Sequence, residues 1–91
     1  MRCTFPMEKK HPNLIKIGKK IRAIREKRGY SQEEFAAAAQ LGRSYAGRVE
    51  RGEQNISMQS LIQIALTLKV EVSELFPPLR ELKAPYRKRL G

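Results

Sequence analysis

The stretch that decides the fold is SQEEFAAAAQLGRSYAGRVERG, residues 31–52. It opens with a capping box, in which the Ser31 hydroxyl accepts from the amide of Glu34 and the Glu34 carboxylate accepts from the amide of Ser31. Four consecutive alanines favour continuation of the helix that follows. The sequence therefore predicts a helix that begins at Gln32 and runs to Gln40.

The second half of this stretch predicts another short helix beyond a tight turn. Leu41-Gly42 breaks the first helix, and the next one runs from Arg43 to about Arg51, before Gly52. Ala46 and Val49 lie three residues apart and point inward. Because Ala36 is small, the two helices can cross steeply where they touch. One face of the second helix is thus anchored, and the other stays exposed.

The exposed face of this second helix suits the major groove of DNA. It carries Arg43, Ser44, Gly47 and Arg48, with Tyr45 at its edge. An arginine can donate two hydrogen bonds to the O6 and N7 atoms of guanine, and a serine can bond to several base edges. Residues at the start of such a helix lie deepest in the groove. Gly47 either lets the helix approach DNA closely or is simply tolerated, at about 1 kcal/mol relative to alanine.

The rest of the chain predicts three further helices between two tails. Apolar residues repeat at three and four positions, and no strand pattern or internal repeat occurs. Pro12 disfavours helix at the residue before it, which places the first helix after it. The additional helices are expected at Leu14–Arg28, Met58–Leu68 and Val70–Phe76. The chain then divides into an N-terminal tail (residues 1–13), a helical domain (14–76) and a basic C-terminal tail (77–91).

The charge balance indicates a polyanionic partner. The 91 residues include 19 lysines and arginines against 9 acids, all of them glutamate, for a formal net charge of +10. Such an excess attracts nucleic acid, where phosphate contacts release counterions. An anionic membrane surface is the alternative partner, and a role in solubility alone is the plainest interpretation. A run of basic side chains on the first helix either contacts phosphate or is a solvated face: Lys16, Lys19, Lys20, Arg22 and Arg25.

Catalysis finds no support in the sequence. His11 has no second ligand at metal spacing, Cys3 has no histidine nearby, and there is neither Asp nor a phosphate-binding Gly-rich loop. We expect no enzyme activity, no cofactor and no metal. With one cysteine, no secretion signal and no membrane-spanning apolar run, we expect a cytoplasmic protein that does not enter the membrane.

Three segments resemble the Cro/C1-type (XRE) helix-turn-helix family: Ser31–Ala36, Arg43–Tyr45 and Val49–Gly52. The resemblance covers residues 17–76. It implies an all-α, five-helix, lambda-repressor-like DNA-binding domain with the helix-turn-helix formed by helices 2 and 3. Arg-Ser-Tyr, Glu-Arg-Gly-Glu-Gln-Asn-Ile-Ser and Ser-Glu-Leu-Phe are most similar to restriction-modification controller proteins, which are small dimeric regulators that bind operators upstream of their own gene and the restriction gene.

The resemblance also implies roles for individual residues. Gln32 would contact phosphate and brace the recognition helix, and Glu50 would bond within the domain. Gln54 and Asn55 would clamp phosphate in the loop after the recognition helix, and Tyr45 would contact the DNA backbone or a base step. The residues that would meet base edges are Arg43, Ser44 and Arg48.

Two residues depart from the family pattern at the helix crossing. The family usually has glycine at the position of Gln40, and a positive φ there would cost a non-glycine residue about 1–2 kcal/mol. Ala46 stands where isoleucine or valine is usual. Both residues bear on the crossing angle of the two helices.

A second surface is predicted on the fourth and fifth helices. Ile62 and Leu66 lie outside the core stripe, and with Val72, Leu75 and Phe76 they would form an apolar patch. We expect this patch to be a symmetric homodimer interface. Two recognition helices would then lie about 34 Å apart and bind a two-fold symmetric operator.

The combined prediction is a homodimeric, sequence-specific transcriptional regulator of double-stranded DNA with no small-molecule ligand. An antitoxin-type or phage-type repressor of the same fold is an alternative. A helical interaction module that does not bind DNA is another. A basic membrane-surface peptide is disfavoured because four successive helices carry core-type apolar stripes.

Overall fold

The computed structural model describes residues 11–83, and this part of the chain is all-helical, which confirms the predicted fold class. No helix in it has the length and apolar character that spanning a bilayer requires. The α-helices are α1 (Pro12–Lys27), α2 (Gln32–Ala38), α3 (Arg43–Arg51) and α4 (Met58–Leu68), followed by 3-10 helices at Val72–Leu75 and Leu79–Glu81. Cys3 and the basic residues after Lys83 lie outside the described residues.

Helix α1 begins two residues earlier than the sequence predicted. Its first residue is Pro12, not Leu14, and His11 is the N-cap, whose Nδ1 accepts from the Asn13 amide at 3.1 Å. Proline fits the first turn of a helix because the N–H that it lacks has no partner there. Pro12 therefore disfavours a helical conformation only at His11, which is extended (φ −100°, ψ 141°).

The capping box at the start of α2 forms as predicted. The Glu34 amide donates to the Ser31 hydroxyl at 3.0 Å, and the Ser31 amide donates to the Glu34 carboxylate at 2.9 Å. Helix α2 ends at Ala38, so Ala39 and Gln40 belong to the turn.

The core lies between α1, α2, α3 and α4. Its largest fully buried side chains are Phe35, Ile21, Ile64, Leu68, Leu75 and Val49. Helices α1 and α3 approach so closely that their backbones touch: a Cβ atom added to Gly18 would lie 2.5 Å from the carbonyl oxygen of Val49, and one added to Gly52 would lie 2.7 Å from the Cα of Ile15. Helix α3 is thus seated on α1 along one side.

The predicted fifth helix, Val70–Phe76, is shorter than expected. Lys69 ends α4 in the left-handed conformation (φ 59°), and the Val70 amide donates back to Ala65, so Val70 belongs to the end of α4. Phe76 is extended because Pro77 follows it. The predicted fifth helix is therefore observed as the 3-10 helix Val72–Leu75.

Leu75 corrects the predicted dimer patch. Its relative exposure is 0%, and it packs in the core with Leu68 and Ile64. A short 3-10 helix that follows a tight turn directs Leu75 back under α4, which the spacing of apolar residues did not indicate. Leu75 is therefore a core residue and not available to a partner. Phe76 is half-buried against the same core.

The segment after Phe76 is not a free tail over its described length. Leu79–Glu81 forms a 3-10 helix, and Lys83 is hydrogen-bonded to the side chain of Asn13 in both directions. The division of the chain at residues 13 and 76 stays a prediction about domains. Helix α1 spans the first boundary, and the 3-10 helix Leu79–Glu81 lies beyond the second.

The turn between α2 and α3 places Gln40 where glycine is favoured. Gln40 has φ 59°, the left-handed value that the sequence analysis had flagged as costly. The Gln40 amide donates to Ala37 at 3.1 Å, and the Leu41 amide donates to Ala36 at 2.8 Å. These bonds close the end of α2 before α3 begins at Arg43.

Replacing Gln40 by glycine is expected to stabilise the domain. Glycine takes positive φ without steric cost, so Gln40→Gly should raise the free energy of unfolding by about 0.5–1 kcal/mol after its greater chain entropy is subtracted. Ala37→Gly, an exposed position inside α2, is the matched control and should lower it by about 1 kcal/mol. Urea denaturation measures both, and a loss of stability in Gln40→Gly would contradict the assigned strain.

Candidate nucleic-acid interface

Helix α3 is anchored from behind and polar in front, as predicted. Ala46 and Val49 have relative exposures of 0% and 1%. Arg43 and Ser44 are exposed at its first turn, where Gly42 is the N-cap and no side chain caps the helix. The free amides of this first turn add to its positive character.

The exposed face of α3 and the start of α2 together form an open concavity of about 540 Å³. Its lining contains three arginines and no acidic residue: Gln32, Arg43, Ser44, Gly47, Arg48 and Arg51. All but Arg51 were predicted as DNA-contacting residues. Arg51 was predicted only as the last residue of the helix. Its position four residues after Gly47 was the signal that it shares this face.

A buried ion pair lies directly behind the concavity. Arg25 Nε donates to Glu50 Oε2 at 2.6 Å, and Arg25 Nη2 donates to Glu50 Oε1 at 3.1 Å. The two side chains are 8% and 4% exposed. Arg25 also donates to the carbonyl of Tyr30 at 2.8 Å. The prediction that placed Arg25 among the exposed basic residues of α1 was wrong, because a long-range acidic partner on α3 draws its head group inward.

Gln32 connects this pair to α2. Its Nε2 donates to Glu50 Oε1 at 3.1 Å, so the first residue of α2 is tied to α3. Glu50 therefore receives hydrogen bonds from both α1 and α2, the structural role that the family resemblance implied. The half-buried Gln32 side chain also lines the concavity. Its amide group therefore both bonds to the buried Glu50 and reaches the surface of the site.

Arg48 is held by the loop that follows α3. Its Nε donates to Gln54 Oε1 at 3.0 Å, and both residues are half-buried. Gln54 and the exposed Asn55 do not line the concavity. The Gln54 side-chain oxygen accepts from Arg48, and its Nε2 donates to the Asn55 carbonyl at 3.5 Å, so the expected phosphate contact of Gln54 and Asn55 stays a prediction. Gln54 thus fixes the direction in which Arg48 reaches the concavity.

Tyr45 lies at the edge of the site rather than in it. It is half-buried against the core, and its hydroxyl accepts from the Ser57 amide at 3.4 Å. This contact joins α3 to the start of α4. The phenol ring thereby braces one side of the recognition helix.

Arg43 is held loosely at the exposed start of α3. Its Nη1 pairs with Glu33 Oε2 at 3.3 Å, and the two side chains are 64% and 72% exposed. An ion pair this exposed contributes little stability because water and salt screen it. Arg43 can therefore leave Glu33 for a ligand at small cost.

Comparison with known proteins identifies the arrangement. A helix-turn-helix family model matches residues 21–75. The control protein C.MunI of a Mycoplasma species is 38% identical over 68 residues, which are 74% of this chain and 92% of that protein. Among solved structures, the restriction-modification controller protein C.AhdI from Aeromonas hydrophila has 41% identity and a TM-score of 0.71, covering 72% of this chain and 100% of that one. SinR, a master regulator for biofilm formation, was solved in complex with DNA, and it has 38% identity and a TM-score of 0.63 over 65% of this chain and 95% of that one.

Breaking the buried pair from one side is expected to be far more damaging than removing it whole. Arg25→Met and Glu50→Gln should each lower the free energy of unfolding by about 3–5 kcal/mol, because each leaves a buried charge without its partner. The double variant should lose less than either single variant, because it leaves no buried charge without its partner. Urea denaturation of the four proteins completes the cycle. Additive losses would show that the two groups are not coupled.

Proposed function

The chain belongs to the helix-turn-helix family, and we propose that it binds a two-fold symmetric operator on double-stranded DNA as a homodimer, with α3 in the major groove. The relatives that it matches are regulators and control proteins, so the chain is a transcriptional regulator and not an enzyme. The observation that carries the proposal is the acid-free, arginine-lined concavity on α3.

In this proposal, different residues bind different parts of the DNA. Arg43 and Ser44 stand at the exposed start of α3, where a recognition helix lies deepest in the groove, so they bind base edges. Arg48, directed by Gln54, binds a base or phosphate one turn further on. Gln32, at the start of α2, binds the phosphate that flanks the groove, beside the positive end of that helix.

Gly47 is buried, so the prediction that it lies on the exposed face of α3 is wrong. A Cβ atom added there would lie 3.0 Å from Arg51 Nη1 and 3.6 Å from Gln32 Oε1. The missing methyl group thus leaves room for these two side chains, which line the concavity together with Gly47.

The likeness to C.MunI and C.AhdI supports a more specific role. The chain spans nearly all of both proteins, and both are restriction-modification control proteins. We therefore propose that it is a controller that acts on its own operator. A DNA target and a single cysteine also support a cytoplasmic location.

A second copy of the chain covers the apolar surface of α4 and the following 3-10 helix. Ile62, Leu66 and Val72 are 43%, 71% and 37% exposed. Phe76 adds the accessible part of its half-buried ring. Ile62 and Leu66 lie four residues apart on one face of α4, and exposed apolar side chains of this kind on a small domain favour a symmetric interface. The proposed dimer uses these four residues and not Leu75.

Arg43→Ala is expected to weaken binding and relax specificity at one base pair. The loss on the site selected by the wild-type chain should be about 1–3 kcal/mol, the cost of one bidentate contact to guanine. Arg43→Lys is the matched control, because lysine keeps the charge but lacks the planar pair of donors, so it should lose discrimination while keeping the salt dependence. Selection from random duplexes, followed by fluorescence anisotropy, measures both. Unchanged discrimination in Arg43→Ala would remove it as a base-contacting residue.

Leu66→Gln is expected to weaken the dimer without unfolding the domain. Losing one buried leucine on each side should raise the dimer dissociation constant tenfold or more, by about 1.5–3 kcal/mol per side chain. Met58→Gln is the control, because Met58 is also 71% exposed but lies roughly 12 Å away along α4. Sedimentation equilibrium measures the constants. Equal effects of the two variants, or none from Leu66→Gln, would count against this interface.

A further inference from the structure

Arg51, the last residue of α3, was not predicted as a DNA-contacting residue, and we propose that its guanidinium, held over Gly47, binds a phosphate of the DNA backbone. This inference rests on the proposed function and adds a residue to it. Arg51 lines the concavity on α3 together with Arg43 and Arg48. Its side chain is 56% exposed, so a ligand can reach it.

The guanidinium of Arg51 is folded back along α3. A Cβ atom added to Gly47, one turn earlier, would lie 3.0 Å from Arg51 Nη1 and 3.8 Å from its Cζ. Side chains on a helix lean toward its N-terminus, so a residue four positions later covers this spot. A side chain at residue 47 would occupy the space in which the guanidinium lies. The missing Cβ atom of Gly47 therefore lets Arg51 bring its charge back by one turn of the helix.

The buried network behind α3 turns an acceptor toward this guanidinium. Gln32 Nε2 donates to Glu50 Oε1 at 3.1 Å, and this bond fixes which way the Gln32 amide faces. The other end of that amide, Oε1, lies 3.6 Å from the same Cβ position at Gly47 that Arg51 Nη1 approaches. A carbonyl oxygen there attracts the positive charge of Arg51. The buried pair of Arg25 and Glu50 thus acts through Gln32 on a side chain at the front of the site.

Most hydrogen-bond donors of Arg51 remain available to a ligand. Within residues 11–83, its side chain makes one hydrogen bond, from Nε to Glu53 Oε1 at 3.1 Å. A guanidinium also carries donors on both Nη atoms, and these can bind two oxygens of one phosphate. Since the Arg51 and Glu53 side chains are 56% and 34% exposed, their ion pair is screened by water and is weak. Glu53 therefore orients Arg51 without competing strongly with a phosphate.

The position of Arg51 on α3 favours a phosphate over a base edge. Arg43 begins this helix, and the start of a recognition helix lies deepest in the groove. Arg51 ends the helix, about 12 Å along its axis from Arg43. Folded back by one turn, its charge still lies about 6 Å behind the first residue. In a groove about 12 Å wide, a cation at this end of the helix meets the sugar-phosphate wall.

The salt dependence of binding distinguishes a phosphate contact from a base contact. Affinity for the duplex selected by the wild-type chain is measured by fluorescence anisotropy from about 50 to 200 mM KCl. Arg51→Gln should make the slope of log K against log salt less negative by about 1 for each protomer, and it should weaken selected and random duplexes alike. Arg51→Lys keeps the charge and should keep the slope. Lost discrimination at one base pair with an unchanged slope would overturn the phosphate assignment.

Gly47→Ala tests whether Gly47 acts through Arg51. The added methyl group would displace the guanidinium, so this variant should also weaken binding. Alanine favours a helix more than glycine does, so this loss would not come from a less stable α3. In the Arg51→Gln background, Gly47→Ala should cause no further loss, because no guanidinium is left to displace. An equal loss in both backgrounds would show that the methyl group meets DNA directly, and it would overturn the coupling of Gly47 to Arg51.

Two controls keep the outcomes separate. Lys69→Asn removes one exposed charge at the end of α4, in a left-handed position that asparagine tolerates, and it should leave the slope unchanged. Circular dichroism should show the same thermal unfolding for Arg51→Gln as for the wild-type chain. If Arg51→Gln binds with the wild-type affinity and slope, or if Lys69→Asn changes the slope equally, this inference is overturned. If the wild-type chain itself selects no duplex, the proposed function fails first.

Discussion

The structure depends on the buried ion pair between Arg25 of α1 and Glu50 of α3, with Gln32 of α2 as its third member. Two charges are removed from water here, and that cost is offset by their mutual hydrogen bonds, by those to Tyr30 and Gln32, and by the Glu26 carboxylate 3.8 Å from Arg25 Nη2. Since the three partners come from three different helices, the network is satisfied in one relative arrangement of them. Such a pair contributes more to a single arrangement of the helices than to net stability.

Close packing between the backbones of α1 and α3 also holds α3 in position. At Gly18 and Gly52, α1 and α3 approach so tightly that a Cβ atom would overlap the neighbouring main chain. The scaffold behind α3 is therefore rigid, while its front carries Arg43, Ser44 and Arg48. A DNA-binding surface needs this division, because side chains that must match base edges lose affinity when their supporting helix moves.

Local sequence signals predicted the elements that form from local bonds. The Ser31–Glu34 capping box marks a helix start that the structure confirms, and the predicted helix Met58–Leu68 has the bounds expected. The positive φ of Gln40 was foreseen as a possible cost of the turn. These features depend on neighbours within four residues, which a sequence displays directly.

The residues that were placed wrongly from the sequence make their main contacts with residues distant in the chain. Arg25 is one of many basic residues on α1, and nothing in its spacing shows that Glu50, 25 residues later, will bury it. Leu75 has the apolar neighbours of a surface patch, but the turn after Lys69 sends it into the core. Asn13 was assigned to a tail, although its amide holds Lys83, 70 residues away. In each case, the decisive contact depends on how the helices pack.

The most direct test of this account is an NMR titration of the ¹⁵N-labelled chain with its selected duplex. A preformed scaffold predicts that the amides of Ser44 and Gly47 and the side-chain amide of Gln32 shift most, while the Arg25 Nε–H signal stays in place because its bond to Glu50 is already made. Large shifts confined to α4, with α3 unaffected, would contradict the assigned surface. A displaced or exchange-broadened Arg25 signal would show that the buried pair does not hold α3 in place.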